Sequence, residues 1–192
     1  FFTKFDTILF VFMLYYVLAI YSNVLIHSKR GEKVDESKIC CFTGHRPQSL
    51  PFQFREQDKR CQRLKQVLRS EMEKQIEEHS VNHFISGMAI GVDMYAAEIV
   101  LDLKAKYPQI TLEAAVPCES QADKWPVKLQ RRYHAILSRC DTKTLIQSQY
   151  TNDCMQKRNR YMVDKADMVI AVWNGSPSGT GKTVAYAKEQ GK

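Results

Sequence analysis

Residues 38–47 read Lys38-Ile39-Cys40-Cys41-Phe42-Thr43-Gly44-His45-Arg46-Pro47. A short apolar run that closes on Thr43 and Gly44 and passes straight into polar residues predicts a buried strand meeting a turn. Working outward, the same event recurs in HFISG at 83–87, ITLEAAVP at 110–117, TKTLIQS at 142–148 and DMVIAVWNG at 167–175. Helical patterns lie between these runs. Residues 58–79 place Cys61, Leu64, Val67, Leu68, Met72 and Ile76 at spacings of three and four, with charges on the opposite face. Residues 93–106 form a second pattern, stopped before Pro108. Residues 120–139 form a third, with Trp125, Leu129, Tyr133, Ile136 and Leu137 in phase and Pro126 expected in the first turn. Residues 154–165 and 181–190 complete the series. Strands that are apolar on both faces and alternate with helices through short connections imply a parallel sheet covered on both sides. The fold class is therefore α/β, a Rossmann-like three-layer sandwich with a mainly parallel sheet of at least five strands.

Upstream of this body the chain changes character. Thr7 to Ile26 is a run of twenty residues without a charge. A helix of that length spans about 30 Å, the thickness of a bilayer core. The run is too long for a signal peptide's apolar region and no small-residue cleavage site follows it. Lys29, Arg30 and Lys33 flank it on the downstream side, which places the rest of the chain in the cytoplasm if the run is an anchor. The chain opens on Phe1, and the alternative is that residues 1–38 come from a reading frame opened too early. Residues 1–38 are accordingly set apart from a domain at 39–192. At the other end the sequence stops at Lys192, just after a helical pattern, where a further strand is expected.

The chain is 44% hydrophobic and 26% charged with 8 Gly and 6 Pro, which excludes a disordered or collagen-like chain. Its net charge of +7 is concentrated, because Gln121 to Lys165 carries ten basic and four acidic residues. Such a segment is either a solvated helix face or a surface turned toward an anion. Six cysteines show no C-x-x-C spacing and no paired histidines, so neither a zinc site nor a disulfide framework is signalled, and a reducing cytoplasm suits them.

Ligands of open parallel sheets bind beyond the carboxyl ends of the strands. Those positions hold Thr43, Gly44, His45 and Arg46 after the first strand, and Ser86, Gly87, Gly91 and Asp93 after the second. After the fifth come Asn174, Gly175, Gly179, Thr180 and Thr183. Gly lets backbone N–H groups approach a ligand, and a helix N-terminus favours an anion such as phosphate. Arg46 offers a guanidinium fork to a phosphate, and His45 can donate a hydrogen bond or act as acid or base. Asp93 reads equally as a helix N-cap or a ligand contact. Arg158 and Asn159 read either as ligand contacts or as part of a solvated basic face. Two familiar motifs fail. A Walker A loop needs Gly where Ser176 stands, and the dinucleotide fingerprint lacks a third Gly in phase with Gly87 and Gly91.

In combination, CCFTGHRP at 40–47, ISGMAIGVDMYAAE at 85–98, CMQKRNRYMVD at 154–164 and the GSPSGTGKT loop at 175–183 resemble the SLOG superfamily, in its bacterial YpsA-like branch. The resemblance implies a Rossmann-like domain that binds or senses a nucleotide-derived ligand of the ADP-ribose, NAD or nucleoside phosphate type, in a regulatory role. The superfamily also includes the LOG phosphoribohydrolases, which implies a second reading as an enzyme cleaving the N-glycosidic bond of a nucleotide. The LOG loop, P-G-G-x-G-T-x-x-E, ends in a Glu, whereas the comparable stretch here has no acid from Pro177 to Ala185, leaving His45 and Asp93 to supply an acid or base. DprA, another member, suggests a third reading as a single-stranded nucleic-acid binder. The basic segment motivates it, although its aromatics are not interleaved with the cations as a stacking groove requires.

Overall fold

All five expected strands form, and they lie parallel in one sheet in the computed structural model, which describes residues 37–192. The apolar run at 7–26, and with it the anchor reading, falls outside the described residues. The strands are β1 (Lys38–Gly44), β2 (Val81–Ser86), β3 (Thr111–Val116), β4 (Thr142–Leu145) and β5 (Met168–Val172), in the spatial order β4-β3-β2-β1-β5. The helices are α1 (Lys59–His79), α2 (Val92–Leu103), α3 (Val127–Leu137), α4 (Cys154–Lys165) and α5 (Gly179–Glu189). Among the described residues, no helix is long and apolar enough to cross a membrane.

Strand alternation divides the core into two layers. Cys40, Phe42, Phe84, Leu112, Ala114 and Val116 point to the side of α1, α2 and α3, where they meet Leu64, Leu68, Met72, Val100 and Tyr133. Cys41, Ile85 and Ala115 point the other way and meet Met162, Val163 and Ala187 of α4 and α5. The spacing of α1 accounts for its buried stripe of Cys61, Leu64, Leu68, Met72 and Ile76. Its N-terminus is closed by Asp58, whose side chain accepts from the Arg60 N–H at 2.9 Å.

Several boundaries differ from the sequence reading. The pattern at 120–139 is not one helix. A short 3-10 turn at Glu119–Ala122 is followed by a break, and Pro126 caps α3 in an extended conformation instead of entering its first turn. A proline also pushes the residue before it out of the helical region, which is why the break falls there. β4 stops at Leu145, short of the expected residue 148. α5 starts two residues early at Gly179, because the Ser178 hydroxyl accepts from the Gly181 N–H at 3.0 Å and supplies the N-cap.

The strand order positions the site. From β1 the chain steps through α1 to β2 on one face of the sheet, and from β4 it returns through α4 to β5 on the other. The direction of winding thus reverses between β1 and β5, and their carboxyl ends open a crevice.

Candidate functional site

The two strands that bound the crevice are tied together at its floor. Gly44 pairs in register with Val172, and the His45 N–H donates to the Val172 carbonyl at 3.2 Å. Immediately above, His45 Nε2 lies 2.8 Å from Asn174 Oδ1 and 3.2 Å from the Asn174 N–H, so the ring meets both an acceptor and a donor of one residue. Oδ1 also accepts from the Ser176 N–H at 3.1 Å and from the Ser176 hydroxyl at 2.6 Å, which holds the Asn174 amide in one orientation. His45 is buried, while Arg46 and Asn174 are exposed at the mouth. Thr43 is buried just below it. The loop beyond, residues 174–178, is shaped from outside by Trp173, whose Nε1–H donates to the Ser176 carbonyl at 2.7 Å.

The turn after β2 is built differently. Ser86, Gly87, Met88 and Asp93 are all buried. The Ser86 hydroxyl donates to the Asp93 carbonyl at 2.9 Å and accepts from the Met88 N–H, and the Asp93 carboxylate accepts from the Ala89 N–H at 3.3 Å. Arg158 reaches in from α4, pairing with Asp93 at 3.5 Å and donating through Nη1 to the Gly87 carbonyl. The same carbonyl accepts from Gln121 Nε2 at 3.1 Å. Burial pushes the Asp93 carboxyl up from its ordinary range, against the pull of Arg158, the Ala89 N–H and Arg46. It pushes Arg158 down, against the pull of Asp93. Two polar atoms here, Arg158 Nε and Gln121 Oε1, are buried without a partner.

Asp93 is therefore not the N-cap of α2. That position belongs to Gly91, at φ 103 and ψ −130, a region that a side chain makes prohibitively strained. The first N–H of the helix, on Val92, donates to the His45 carbonyl at 3.4 Å, so β1's loop and not a ligand closes this end. Gly44 permits the approach, since a Cβ there would stand 2.4 Å from the Val92 Cβ. The reading of Arg158 as part of a solvated basic face is likewise corrected: it lies in the fifth position of α4, one and a half turns in, on the side that faces the sheet.

A third group of candidates lies beside α5. Asn159 Nδ2 donates to Thr183 Oγ1 at 2.7 Å, and the Thr183 hydroxyl donates to the Gly179 carbonyl at 3.0 Å. These three residues, with Arg160, Lys182 and Tyr186, line an open groove between α4 and α5 of about 360 Å³, which falls within the size range of ligand pockets. Thr180 is buried in the first turn of α5 and lies outside the groove lining.

The sequence candidates thus divide three ways: a crevice (Thr43, Gly44, His45, Arg46, Asn174, Gly175), a sealed turn (Ser86, Gly87, Gly91, Asp93, Arg158) and a groove (Asn159, Gly179, Thr183). Sequence reasoning missed Gln121 and Tyr186, and held Ser176 and Lys182 only as part of the stretch from Asn174 to Thr183. Lys182 and Tyr186 stand four apart on α5 and so share a face, a signal open to reading; Gln121 had none, because its partner is a backbone carbonyl 34 residues away. Also missed was a polar cluster on β3. Glu113 accepts from Tyr161 at 2.5 Å and pairs with His83 at 3.1 Å, and these bonds hold its carboxyl down at about 2 despite burial.

Comparison with known proteins places this geometry. The chain is 30% identical over 146 residues to a UPF0398 protein of Bacillus licheniformis, covering 73% of this chain and 79% of that protein. It is 31% identical over 139 residues to the SPbeta prophage-derived protein YoqJ of Bacillus subtilis, covering 66% and 81%. A UPF0398 protein of Bacillus thuringiensis is 27% identical over 158 residues, covering 81% and 85%. The family model described as the YspA SLOG family matches residues 40–191, which is all but the first two residues of β1 among the strands and helices described above, and the chain belongs to that family.

Proposed function

We propose that the chain binds a nucleotide-derived ligand, of the nucleoside phosphate, ADP-ribose or NAD type, in the crevice between the ends of β1 and β5, and that it does so to sense the ligand. The observation that carries the reading is the His45–Asn174 contact, which joins the two strand ends at the point where the winding reverses and leaves Arg46 exposed beside them. Gly175 and Gly179 add backbone unencumbered by neighbours, since a Cβ at either position would meet nothing within 4 Å. The N-terminus of α5 opens on the same rim and favours a phosphate. Arg46 supplies the exposed cation, while Arg158 holds the turn after β2.

A hydrolytic role is the weaker reading because of Asp93. A general acid must reach the bond it cleaves, and this carboxylate is spent on Ala89 and Arg158 beneath a closed turn. The test is a thermal-shift series with AMP, ADP-ribose, NAD and cyclic nucleotides. A ligand at 100 times its Kd adds about 2.7 kcal/mol, a shift of several degrees for a domain of this size. The expected result is such a shift with one ligand class, lost in Arg46→Ala; no shift with any of them overturns the reading. Release of free base from a nucleoside monophosphate would replace it with the hydrolase.

A further inference from the structure

The groove between α4 and α5 holds two cations that no carboxylate has closed on. The bond from Asn159 Nδ2 to Thr183 Oγ1 at 2.7 Å joins the two helices, and the next residue on each, Arg160 and Lys182, lines the groove. Both are exposed, and neither makes a salt bridge with a described residue. Lys65, Lys104 and Arg132, by contrast, each meet a carboxylate at 2.6 Å. Two like charges in one concave site focus a positive potential and attract an anion. The acid among the lining residues is Glu189, seven residues beyond Lys182 on α5 and so about 10 Å farther along the helix.

The rest of the lining says what the anion carries. Thr183 is committed, because its hydroxyl donates to the Gly179 carbonyl at 3.0 Å while its oxygen accepts from Asn159. Asn159 is only half used: Oδ1 has no partner among the described residues and calls for a donor. The Gln156 amide and the Glu189 carboxylate are exposed along the same groove and offer further acceptors. Acceptors of this kind suit hydroxyl groups. A nucleobase is less well served, since the Tyr186 ring packs against the core on α4 and carries Arg160 5.4 Å from its centroid, which leaves no open face to stack on. A bare inorganic anion would use the cations and leave every acceptor idle. The volume of about 360 Å³ also holds more than an inorganic ion.

We propose that the groove binds a sugar phosphate, as a site separate from the crevice. Arg160 and Lys182 hold the phosphate through charge-assisted hydrogen bonds. Asn159 Oδ1 and Glu189 accept from the sugar hydroxyls, and the ring lies over Met155 and the edge of Tyr186. Of the residues assigned to the crevice, Gly179 alone lines the groove, so either site can be lost while the other stands.

The test is calorimetric titration of the full chain with ribose 5-phosphate, ribose, inorganic phosphate and AMP. The expected result is binding of ribose 5-phosphate, roughly tenfold or more tighter than ribose or inorganic phosphate, and weakened by a similar factor in Lys182→Glu and in Arg160→Gln. Arg46→Ala is expected to leave it unchanged. Both groove substitutions change exposed residues, and an acid near the N-terminus of α5 complements the helix dipole, so an unaltered melting temperature certifies the folds. No binding of ribose 5-phosphate up to millimolar concentration overturns the proposal, as does binding indifferent to both groove substitutions or matched by inorganic phosphate. Binding lost in Arg46→Ala but kept in Lys182→Glu also overturns it, and leaves the crevice reading standing. AMP binding that falls in Lys182→Glu and exceeds that of ribose 5-phosphate replaces the sugar phosphate with a nucleotide.

Discussion

The turn after β2 and the loop after β5 look alike as sequences, each a Gly-containing stretch leading from a strand into a helix, and they fold into opposites. Around Gly87 the backbone is packed on all sides, and a Cβ there would fall 1.8 Å from Arg158 Nη1 and 2.7 Å from the Asp93 carboxylate. Around Gly175 and Gly179 nothing stands within 4 Å of where a Cβ would be. Glycine serves close packing in the first case and access in the second. The difference teaches that a glycine-rich strand end is a ligand site only where no buried side chain has already taken the space, and here Arg158 has taken it after β2.

The sharpest way to break this comparison is to empty the sealed turn. Arg158→Ala leaves the Asp93 carboxylate buried without its ion pair, and a loss of about 3–5 kcal/mol is expected in denaturant unfolding at neutral pH. The pH dependence gives the sign. Burial without Arg158 raises the folded Asp93 pKa further above the already raised wild-type value, so the deficit grows as pH rises from the wild-type folded pKa to that of the variant and shrinks in acid, where the carboxyl is neutral in both proteins. A deficit that is flat with pH would mean that Asp93 and Arg158 do not act as a pair.

Gly91→Ala comes next. The substitution combines a positive φ with a Cβ placed 2.8 Å from the His45 carbonyl, and about 2–3 kcal/mol of destabilisation is expected by thermal unfolding. Asn174→Ala removes the acceptor for His45 and Ser176, at an expected cost of about 1 kcal/mol, together with loss of the nucleotide-dependent shift. Gly179→Ala completes the series. Its melting temperature should move by no more than the equivalent of about 0.5 kcal/mol while nucleotide affinity falls. A large stability loss at Gly179 would erase the distinction between the packed and the accessible glycines.

Much of the fold was legible because it rests on periodicity. α4 was expected at 154–165 and occupies Cys154–Lys165, and Ala166 turns extended directly after it. The break at Pro126 was not legible, because the apolar phase of Trp125, Leu129 and Tyr133 continues across it while the backbone does not. For the site, motif reading collected residues from the correct edge of the sheet but could not rank them. Arg46 and Arg158 are equally good phosphate ligands on paper. What separates them is tertiary: one is exposed in a loop, and the other lies on the sheet-facing side of a helix against a carbonyl 71 residues away. The basic segment illustrates the same limit, since its ten cations include Arg132, which is bound to Glu56 and to Glu98 at 2.6 Å.

The placement of β1 between β2 and β5 has a consequence for how the molecule comes into being. β1 finds its first neighbour after one helix, but its second only after β2, β3 and β4 have been made, and His45 meets Asn174 across 129 residues of sequence. Contacts of such long range are costly in loop entropy and are made late in folding. The crevice is thus absent from a nascent chain that already holds β1, β2 and β3, and it forms when β5 docks. Its binding competence reports on the docking of β5, and a ligand held there weights the equilibrium toward the paired β1 and β5.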